Sequence, residues 1–348
     1  MIIPISDNLK REGIVFMANQ IIARITGVGS YLPERVLSNQ DLEKMIETSD
    51  DWIVSRTGIR ERRLADAKEF PSDMGTYAAQ KALKTANLKA EQIDMILVAT
   101  MSPDYISPST ANLIQANLGA SKAAAMDIQA ACTGFLYGLS VAKAYIESNM
   151  YRHVLVIATE KMSAFIDYKD RTTCVLFGDG AAAAVVKGEG EGLKIDSLCL
   201  GADGELANLV LIPGGGSRKP ASIETVSEGL HYFKMSGNEV FKHAVRRMSA
   251  AARECLVRAE LQESDVSWLI PHQANKRIID AIAKNFNFPD EKVYQTVHKY
   301  GNTSASSIAI ALDELIKEHS FENGEHFLLT AFGGGLTWGA SILTKTTR

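Results

Sequence analysis

The chain has 348 residues, of which 46% are hydrophobic, and its formal net charge is −4. This length and apolar content suffice for a large buried core and predict about two domains or halves. The small acidic charge does not favour nucleic acid as a partner. Because no apolar run reaches about 18 residues, neither a transmembrane helix nor a membrane partner is expected.

The first segment, MIIPISDNLKREGIVFMANQ, has apolar runs that are interrupted by charges at positions 7, 10, 11 and 12. These runs are too short for the apolar region of a signal peptide. We therefore expect residues 1–19 to form a frayed N-terminal extension, with Met17 as an alternative start.

Apolar, strand-like runs alternate with helical patterns along the rest of the chain. In chain order the runs are DMILVAT, AMDIQ, HVLVIAT, GAAAAVV, SWLI, HFLLTAF and GASILT. Strands that alternate with helices predict an α/β fold with a layered sheet. Residues 213–232 are rich in Gly, Ser and Pro, which predicts a surface loop or flap near the midpoint.

Three segments of the first half recur, in the same order, in the second half. DMILVATMSPD is echoed by VSWLIPHQAN, MDIQAACTGFLYGLSVA by QTVHKYGNTSASSIAIAL, and FGDGAAAAVV by FGGGLTWGASIL. Such an echo predicts duplication of one supersecondary unit, with halves at 20–190 and 191–348. The alignment sets Cys132-Thr133 against Asn302-Thr303 and the loop at Thr100 against His272. A pseudo-two-fold axis would bring Cys132, His272 and Asn302 together.

The four cysteines are scattered, without a CxxC pair, so neither a metal site nor a disulfide framework is predicted. A reducing cytoplasm fits this usage. Cys174, Cys199 and Cys255 lie within apolar or helical runs and are expected to be structural. Cys132 precedes a helical pattern, where a helix N-terminus would stabilise the thiolate and lower the pKa. A buried, inert cysteine is the alternative that the local pattern leaves open.

Two polar residues stand at similar strand-to-helix junctions in the second half. His272 follows a short strand and precedes a donor-rich helix start, and Asn302 follows Gly301. A hydrogen-bonded structural histidine and a plain helix N-cap are the alternatives for these two positions.

These segments, taken together, resemble the β-ketoacyl-acyl carrier protein synthase III family. The resemblance rests on DIQAACTGF, PHQANKRII, YGNTSASS and FGGGLTWG, with TSDDWIVSRTGIRERR upstream, in the family's order over roughly residues 20–348. It implies the thiolase fold, in which two duplicated halves form five layers, α-β-α-β-α, and a homodimer. The implied reaction is the decarboxylative condensation of a primer acyl-CoA with malonyl-acyl carrier protein, which starts fatty acid synthesis.

The resemblance also implies roles for the central residues. Cys132 would attack the primer thioester and hold the acyl group. The backbone N–H groups of Cys132 and Gly334 would face the oxyanion. His272 and Asn302 would donate hydrogen bonds to the malonyl thioester as CO₂ departs. Phe332 would shield the acyl site from water.

Substrate contacts follow from the same resemblance. Coenzyme A enters as part of a substrate, so no separate cofactor is implied. The implied contacts with coenzyme A come from Thr48, Trp52, Arg56, Arg171, Gly237, Asn275 and Arg277. Trp52 and Arg171 would sandwich the adenine. Ser107 stands where the family often has an aromatic residue, on a loop that reaches the partner's acyl pocket, so a primer larger than acetyl is predicted.

Basic residues are expected to form a rim at the tunnel mouth that steers the acidic acyl carrier protein. These residues are Lys242, Arg246, Lys276, Arg277 and Lys284. Solvated helix faces are the alternative for each of them.

Other functions are separated by particular residues. A related starter or acyl-transfer ketosynthase of secondary metabolism is the main alternative, followed by a non-catalytic carrier-binding homologue and a cysteine hydrolase. Non-decarboxylative thiolases carry a second cysteine in the C-terminal glycine-rich loop, and AFGGGLTWG has none. A pure binding protein would need no nucleophile such as Cys132.

Overall fold

The computed structural model describes residues 21–347, so the predicted extension at 1–19 lies outside the described residues. The strands of the main sheet are β1 Arg24–Tyr31, β4 Met95–Ala99, β5 Ala124–Ile128, β6 His153–Glu160, β7 Gly180–Lys187, β8 Gly192–Ala202, β11 Val266–Pro271, β12 His326–Gly333 and β13 Thr337–Thr346. Two short pairs flank it, β2 Val36–Ser38 with β3 Glu61–Arg63, and β9 Val210–Leu211 with β10 Lys234–Met235.

The α-helices are α1 Asn39–Glu43, α2 Asp50–Thr57, α3 Pro71–Thr85, α4 Thr110–Leu118, α5 Gly134–Glu147, α6 Ile223–Ser227, α7 Gly237–Arg258, α8 Lys276–Asn285, α9 Val297–Tyr300 and α10 Ser307–Glu318. Within the described part of the chain, no helix combines the length and the apolar content that a bilayer crossing requires.

The main sheet consists of two half-sheets with the same topology. The strand order is β5-β4-β6-β7-β1 in the first and β11-β12-β13-β8 in the second. In both, the parallel pair (β4 with β6, β11 with β12) is followed by two antiparallel pairings. A parallel bridge from Leu269 to Val293 occupies the place of β5 in the second half. β1 and β8 join the halves through Arg24↔Lys194 and Ile25↔Leu193.

Helices cover each half-sheet on both faces. α3 and α4 pack on the outer face of the first half, and α7 and α8 on that of the second. Between them, α5 contacts β4, β6 and β7 as well as β8 and β13, and α10 contacts both β1 and β11. The predicted five-layer α-β-α-β-α architecture is confirmed. The exact domain boundary at 190/191 stays a prediction, in the turn between β7 and β8.

Burial explains which strands the sequence revealed. Seven of the eight residues of β6 and of β7 are buried, so each strand is a continuous apolar run. All seven strand-like runs correspond to strands. β8 was missed because it alternates buried and half-buried residues. β1 was missed because it contains Gly27 and Gly29, where a Cβ would come within 2.5 Å of the backbone of α3.

Two details of the sequence interpretation are wrong. Residues 213–232 are not only a loop, because they contain α6. The register of the internal repeat is also shifted. A 3₁₀ turn at Ala131–Thr133 precedes α5, and its counterpart at Ser304–Ser306 precedes α10. The first residue of each turn has a positive φ, 45° at Ala131 and 51° at Ser304. Superposing the turns sets Cys132 opposite Ala305, three residues beyond Asn302.

Arg62, within the charged stretch TGIRERR, is fully buried. Its guanidinium donates to the carbonyl oxygens of Leu37 and Val175, at 3.1 and 2.8 Å, and to Asn39 Oδ1, at 2.9 Å. Burial lowers the pKa of Arg62 to about 10, so the side chain stays charged at neutral pH. Asn39 in turn donates to Asp50 at the start of α2. Arg62 therefore links β2, α1 and α2 to the body of the molecule.

Arg62→Ala should destabilise the protein by about 3 kcal/mol or more, because three buried acceptors lose their donor. Thermal unfolding, followed by circular dichroism, measures the effect. Arg60→Ala is the matched control, since the Arg60 side chain is exposed and such changes usually cost less than about 0.5 kcal/mol. Equal melting temperatures for the two variants would contradict the assigned role.

Candidate active site

A cavity of about 660 Å³ opens where the two half-sheets meet the central helices. Cys132, His272 and Asn302 all line it, as do Gly333 and Gly334. These residues come from four places: the turn before α5, the end of β11, the segment before α10, and the end of β12. The structure therefore brings together the three residues that the internal repeat had predicted to meet.

Cys132 lies in the 3₁₀ turn whose next residue begins α5. Its thiol donates to the Ser304 hydroxyl, with an Sγ–Oγ distance of 3.5 Å. Burial is the main reason that the pKa of the Cys132 thiol is raised to about 12; the nearby Glu160 carboxylate also raises it, whereas the hydrogen bond with Ser304 lowers it. The predicted lowering of this pKa by the helix N-terminus is wrong, because desolvation of the thiolate outweighs it. The thiol is protonated at neutral pH.

His272 follows β11 and is buried. Its backbone N–H donates to the Thr330 carbonyl at 2.8 Å. Burial lowers the pKa of His272 to about 3, so the imidazole is neutral. Nδ1 lies 2.6 Å from the hydroxyl of Ser307, which accepts from the Gln273 N–H at 3.4 Å. Within residues 21–347 the Ser307 hydroxyl has no other acceptor for its proton, so Ser307 donates to Nδ1 and Nε2 carries the ring proton. His272 is thereby prepared as a hydrogen-bond donor.

Asn302 is held by its own backbone. Its N–H donates to Leu176 O at 2.8 Å, and its carbonyl accepts from Gly178 N at 3.1 Å. Oδ1 accepts from the Ser304 N–H at 2.8 Å, which fixes the orientation of the carboxamide. Among the described residues Nδ2 has no hydrogen-bond partner, so it remains a donor toward the cavity. Asn302 is therefore not a helix N-cap.

The turn that carries Cys132 packs closely against the glycine-rich end of β12. A Cβ added at Gly333 would lie 2.7 Å from the backbone nitrogen of Cys132. Thr133 and Thr337 hold the two segments together, since both hydroxyls contact the Ala130 carbonyl and lie 2.7 Å from each other. The backbone near Gly334 is thus set beside Cys132. Its role as an oxyanion donor stays a prediction.

Trp52 lies on α2, and two guanidinium groups are close to its ring. The Cζ atoms of Arg56 and Arg171 are 4.6 and 4.8 Å from the centroid of its ring. Arg171 also donates to the Glu47 carbonyl at 3.1 Å. The two residues expected to sandwich the adenine, Trp52 and Arg171, are therefore adjacent. Arg171 stacks directly on Trp52 and would have to move away before an adenine could lie between them.

The other expected coenzyme A contacts lie along the cavity or close to Trp52. Gly237, Asn275 and Arg277 line the cavity with Arg56. Thr48 Oγ1 is buried, and within the described residues it has no hydrogen-bond partner. An orphaned hydroxyl is costly unless a ligand or water completes it.

The two residues assigned to the acyl pocket lie in different places. Phe332 is buried and lines the cavity near Cys132. Ser107 lies on an exposed loop after β4 and does not line this chain's cavity. Its neighbours Tyr105 and Ile106 are 60% and 90% exposed.

The five residues of the expected basic rim are all exposed. Two are partly neutralised, because Lys242 pairs with Glu239 at 2.8 Å and Lys276 with Asp280 at 2.6 Å. Within residues 21–347, Arg246, Arg277 and Lys284 have no acidic partner within ion-pair distance. Over the same range, no three His, Cys, Asp or Glu side chains are arranged to hold a metal ion.

Sequence reasoning missed three buried residues beside the cavity: Glu160, Ser304 and Ser307. Ser307 orients His272, whereas Ser304 links Cys132 to Glu160, at 3.0 Å from its carboxylate. The available signals were a glutamate that ends an apolar strand and a serine-rich turn, and neither identifies its partner.

Two family models match the chain. The model for 3-oxoacyl-[acyl-carrier-protein] synthase III matches residues 126–204, and the model for its C-terminal part matches residues 256–345. A β-ketoacyl-[acyl-carrier-protein] synthase III of Chlamydia pneumoniae is 58% identical over 324 residues, 93% of this chain and 97% of that protein.

The chain is also similar to solved structures of condensing enzymes. The 3-oxoacyl-[acyl-carrier-protein] synthase III of Aquifex aeolicus is 48% identical, with a TM-score of 0.85 over 92% of this chain and 99% of that one. The priming β-ketosynthase of the R1128 polyketide pathway is 36% identical, with a TM-score of 0.86 over 94% and 97%. The chain belongs to the 3-oxoacyl-[acyl-carrier-protein] synthase III family.

Proposed function

We propose that the chain catalyses the decarboxylative condensation of a primer acyl-CoA with malonyl-acyl carrier protein, the priming step of fatty acid synthesis. The carrying observation is one cavity lined by a thiol, a neutral imidazole and an oriented carboxamide, Cys132, His272 and Asn302. The last two present N–H donors, and neither is charged. This set suits a reaction that needs one nucleophile and two donors to an oxyanion.

In the first half-reaction Cys132 attacks the primer thioester and becomes acylated as coenzyme A leaves. The tetrahedral intermediate carries a negative oxygen, which the backbone N–H groups of Cys132 and Gly334 stabilise. The contact of Gly333 with the Cys132 nitrogen supports this assignment, because it sets the adjacent segment beside the reacting sulfur. Fixed donors of this kind act without reorganisation as the charge develops.

In the second half-reaction malonyl-acyl carrier protein binds with its thioester carbonyl between His272 and Asn302. As CO₂ leaves, the charge on this carbonyl oxygen grows, and Nε2–H and Nδ2–H stabilise the enolate. The carbanion attacks the acyl-Cys132 thioester and gives the β-ketoacyl product. Decarboxylation generates the nucleophile, so no base has to remove a carbon-bound proton. Phe332 shields this region from water.

The position of the His272 ring proton also helps to separate the alternative functions. A cysteine hydrolase would need an unprotonated Nε2 to activate water, whereas the Ser307 contact favours Nε2–H. A ketosynthase of secondary metabolism is less favoured, because the polyketide priming enzyme is 36% identical and the Chlamydia pneumoniae relative is 58% identical.

Coenzyme A is expected to enter from the α2 side of the cavity. Trp52 and Arg171 would hold the adenine, and the unpartnered hydroxyl of Thr48 would contact it. The phosphates and the pantetheine arm would meet Arg56, Arg277, Gly237 and Asn275, which line the cavity. Coenzyme A is here a part of the substrate, and no resident cofactor is proposed.

The partners proposed are acyl carrier protein, at the basic rim, and a second copy of this chain. The exposed loop at Tyr105 and Ile106, together with β5 at the edge of the described sheet, supports a homodimer. In such a dimer Ser107 would close the partner's acyl pocket and leave room for primers larger than acetyl. Four free cysteines agree with the reducing cytoplasm that we propose as the compartment.

Cys132→Ala should abolish formation of the acyl-enzyme, because it removes the nucleophile. Cys132→Gln should still decarboxylate malonyl-acyl carrier protein, since His272 and Asn302 remain. Mass spectrometry of the intact protein measures acylation by acetyl-, butyryl-, isobutyryl- and hexanoyl-CoA, and then loss of the acyl group to malonyl-acyl carrier protein. Cys174→Ala is the control for a buried cysteine outside the cavity and should acylate normally. Acyl label on any other cysteine would overturn the assignment.

His272→Ala and Asn302→Ala should slow malonyl decarboxylation by about 10²–10³, the usual cost of losing one oxyanion donor. Acyl transfer to Cys132 should suffer less. Ser307→Ala should follow the same pattern, because the ring then loses the contact that keeps the proton on Nε2. The two half-reactions are measured separately, by CO₂ release and by intact mass. If His272→Ala fails only in acyl transfer, His272 is a base for Cys132 instead.

Arg246→Glu and Lys284→Glu should each raise the KM for malonyl-acyl carrier protein severalfold and weaken its salt dependence. Lys242→Glu should have a smaller effect, because Glu239 already neutralises this lysine. Lys84→Glu, an exposed change on α3, is the control. The KM for acyl-CoA should barely change. If neither Arg246→Glu nor Lys284→Glu changes the KM for malonyl-acyl carrier protein, the carrier protein docks elsewhere.

A further inference from the structure

A fully buried carboxylate lies one hydroxyl group away from the reactive thiol. Cys132 Sγ is 3.5 Å from Ser304 Oγ, which is 3.0 Å from Glu160 Oε1. Ser304 and Glu160 are both 0% exposed. The thiol donates to the hydroxyl and the hydroxyl donates to the carboxylate, so the donors point in one direction, from Cys132 to Glu160.

The second oxygen of the carboxylate is held by the loop after β4. Glu160 Oε2 accepts from the Ser102 hydroxyl at 2.6 Å, from the Thr100 hydroxyl at 3.3 Å and from the backbone N–H groups of Met101 and Ser102 at 3.1 and 3.2 Å. These donors hold the carboxylate in position. Oε1, the other oxygen, accepts from Ser304 and also contacts the Met101 N–H at 3.2 Å.

Every contact of Glu160 is electrically neutral. The turn before α10 presents the Ser304 hydroxyl and the Ala305 N–H, and the turn before α5 presents the Cys132 thiol, which is the titratable group facing it. Lys161, the next residue, directs its ammonium away to the carbonyls of Asp66 and Glu69. Burial is the main reason that the pKa of Glu160 is raised to about 7. A purely structural anion at this depth would normally have a cation beside it.

The nucleophile needs an internal proton acceptor. The thiol is protonated at neutral pH, and a bound acyl-CoA that fills the cavity would separate Sγ from bulk water. His272 does not serve as the acceptor, because Nε2 already carries a proton. Resting on the function proposed above, we propose that Ser304 and Glu160 form a proton relay that takes the thiol proton during acyl transfer and returns it during condensation.

In acyl transfer the S–H bond of Cys132 breaks as Sγ bonds to the primer carbonyl carbon. The proton moves to Ser304 Oγ while the Ser304 hydroxyl proton moves to Glu160. The bond between the primer carbonyl carbon and the sulfur of coenzyme A then breaks, and this thiolate takes a proton from solvent as it leaves. Glu160 remains neutral beside the acyl-enzyme.

In condensation the new carbon–carbon bond expels Cys132 as a thiolate. Glu160 then returns its proton through Ser304, which regenerates the thiol and the carboxylate. The cycle consumes one proton from solvent and releases CO₂ and free coenzyme A, so charge and atoms balance.

The test compares Glu160→Gln and Ser304→Ala with the matched control Ser306→Ala. Ser306 is an equally buried serine of the same turn whose hydroxyl donates to the Thr303 carbonyl at 2.9 Å. At neutral pH both relay variants should acylate from acyl-CoA about 10²-fold more slowly, the lower end of the usual range for acid–base catalysis. Ser306→Ala should stay within about twofold of the wild type.

A second measurement separates a relay from a structural role and does not depend on any acyl-CoA. The rate of Cys132 alkylation by iodoacetamide is followed against pH. In the wild type the rise should become shallower than tenfold per pH unit around pH 7, because Glu160 ionises there and its negative charge raises the pKa of the neighbouring thiol. In Glu160→Gln the rate should keep rising, about tenfold for each pH unit, into the alkaline range.

Matching wild-type and Glu160→Gln alkylation profiles would overturn the relay, as would equal slowing of acylation by Ser306→Ala and Ser304→Ala. If Glu160→Gln does not fold, Ser304→Ala decides through acylation. Failure of every acyl-CoA to label the wild type would instead contradict the proposed function, and the alkylation profile would still report on the relay.

Discussion

The structure depends on the close approach of the two turns that begin α5 and α10. Gly134, the first residue of α5, has no side chain, and a Cβ there would lie 2.8 Å from the Cβ of Ala99 and 3.4 Å from that of Ala305. Small residues on both sides let the two central helices start beside each other between the half-sheets. This contact brings Cys132 within reach of Ser304 and sets both beside the ends of β11 and β12.

Burial at this junction then decides the protonation states. The same loss of solvent keeps the Cys132 thiol protonated and the His272 imidazole neutral, and it raises the pKa of Glu160 toward neutrality. Each neutral form is the one that burial favours. The site therefore consists of hydrogen-bond donors, a protonated thiol and one buried carboxylate. The relay proposed above would move a single proton among these groups.

Duplication placed equivalent positions around this junction, and the halves then diverged in chemistry. The strand β4 is followed by Thr100, and its counterpart β11 by His272. The strand β6 ends in Glu160, whereas its counterpart β12 ends in Gly333. The first half thus contributes a carboxylate and the Thr100 hydroxyl that donates to it, and the second half contributes the imidazole and a glycine that lets the backbone approach Cys132.

The sequence by itself determined the layered fold class, because strands covered on both faces must be continuous apolar runs. The repeated units also indicated the three residues that meet, although their register was shifted and Asn302 follows the short helix α9 rather than a strand. It did not reveal β1 or β8, whose glycines and alternating pattern depend on what packs against them. Only the tertiary structure decided the pKa of Cys132, the tautomer of His272, and the contact between Ser304 and Glu160, 144 residues apart. Desolvation and hydrogen bonding between distant segments arise when the halves pack, and no local pattern encodes them.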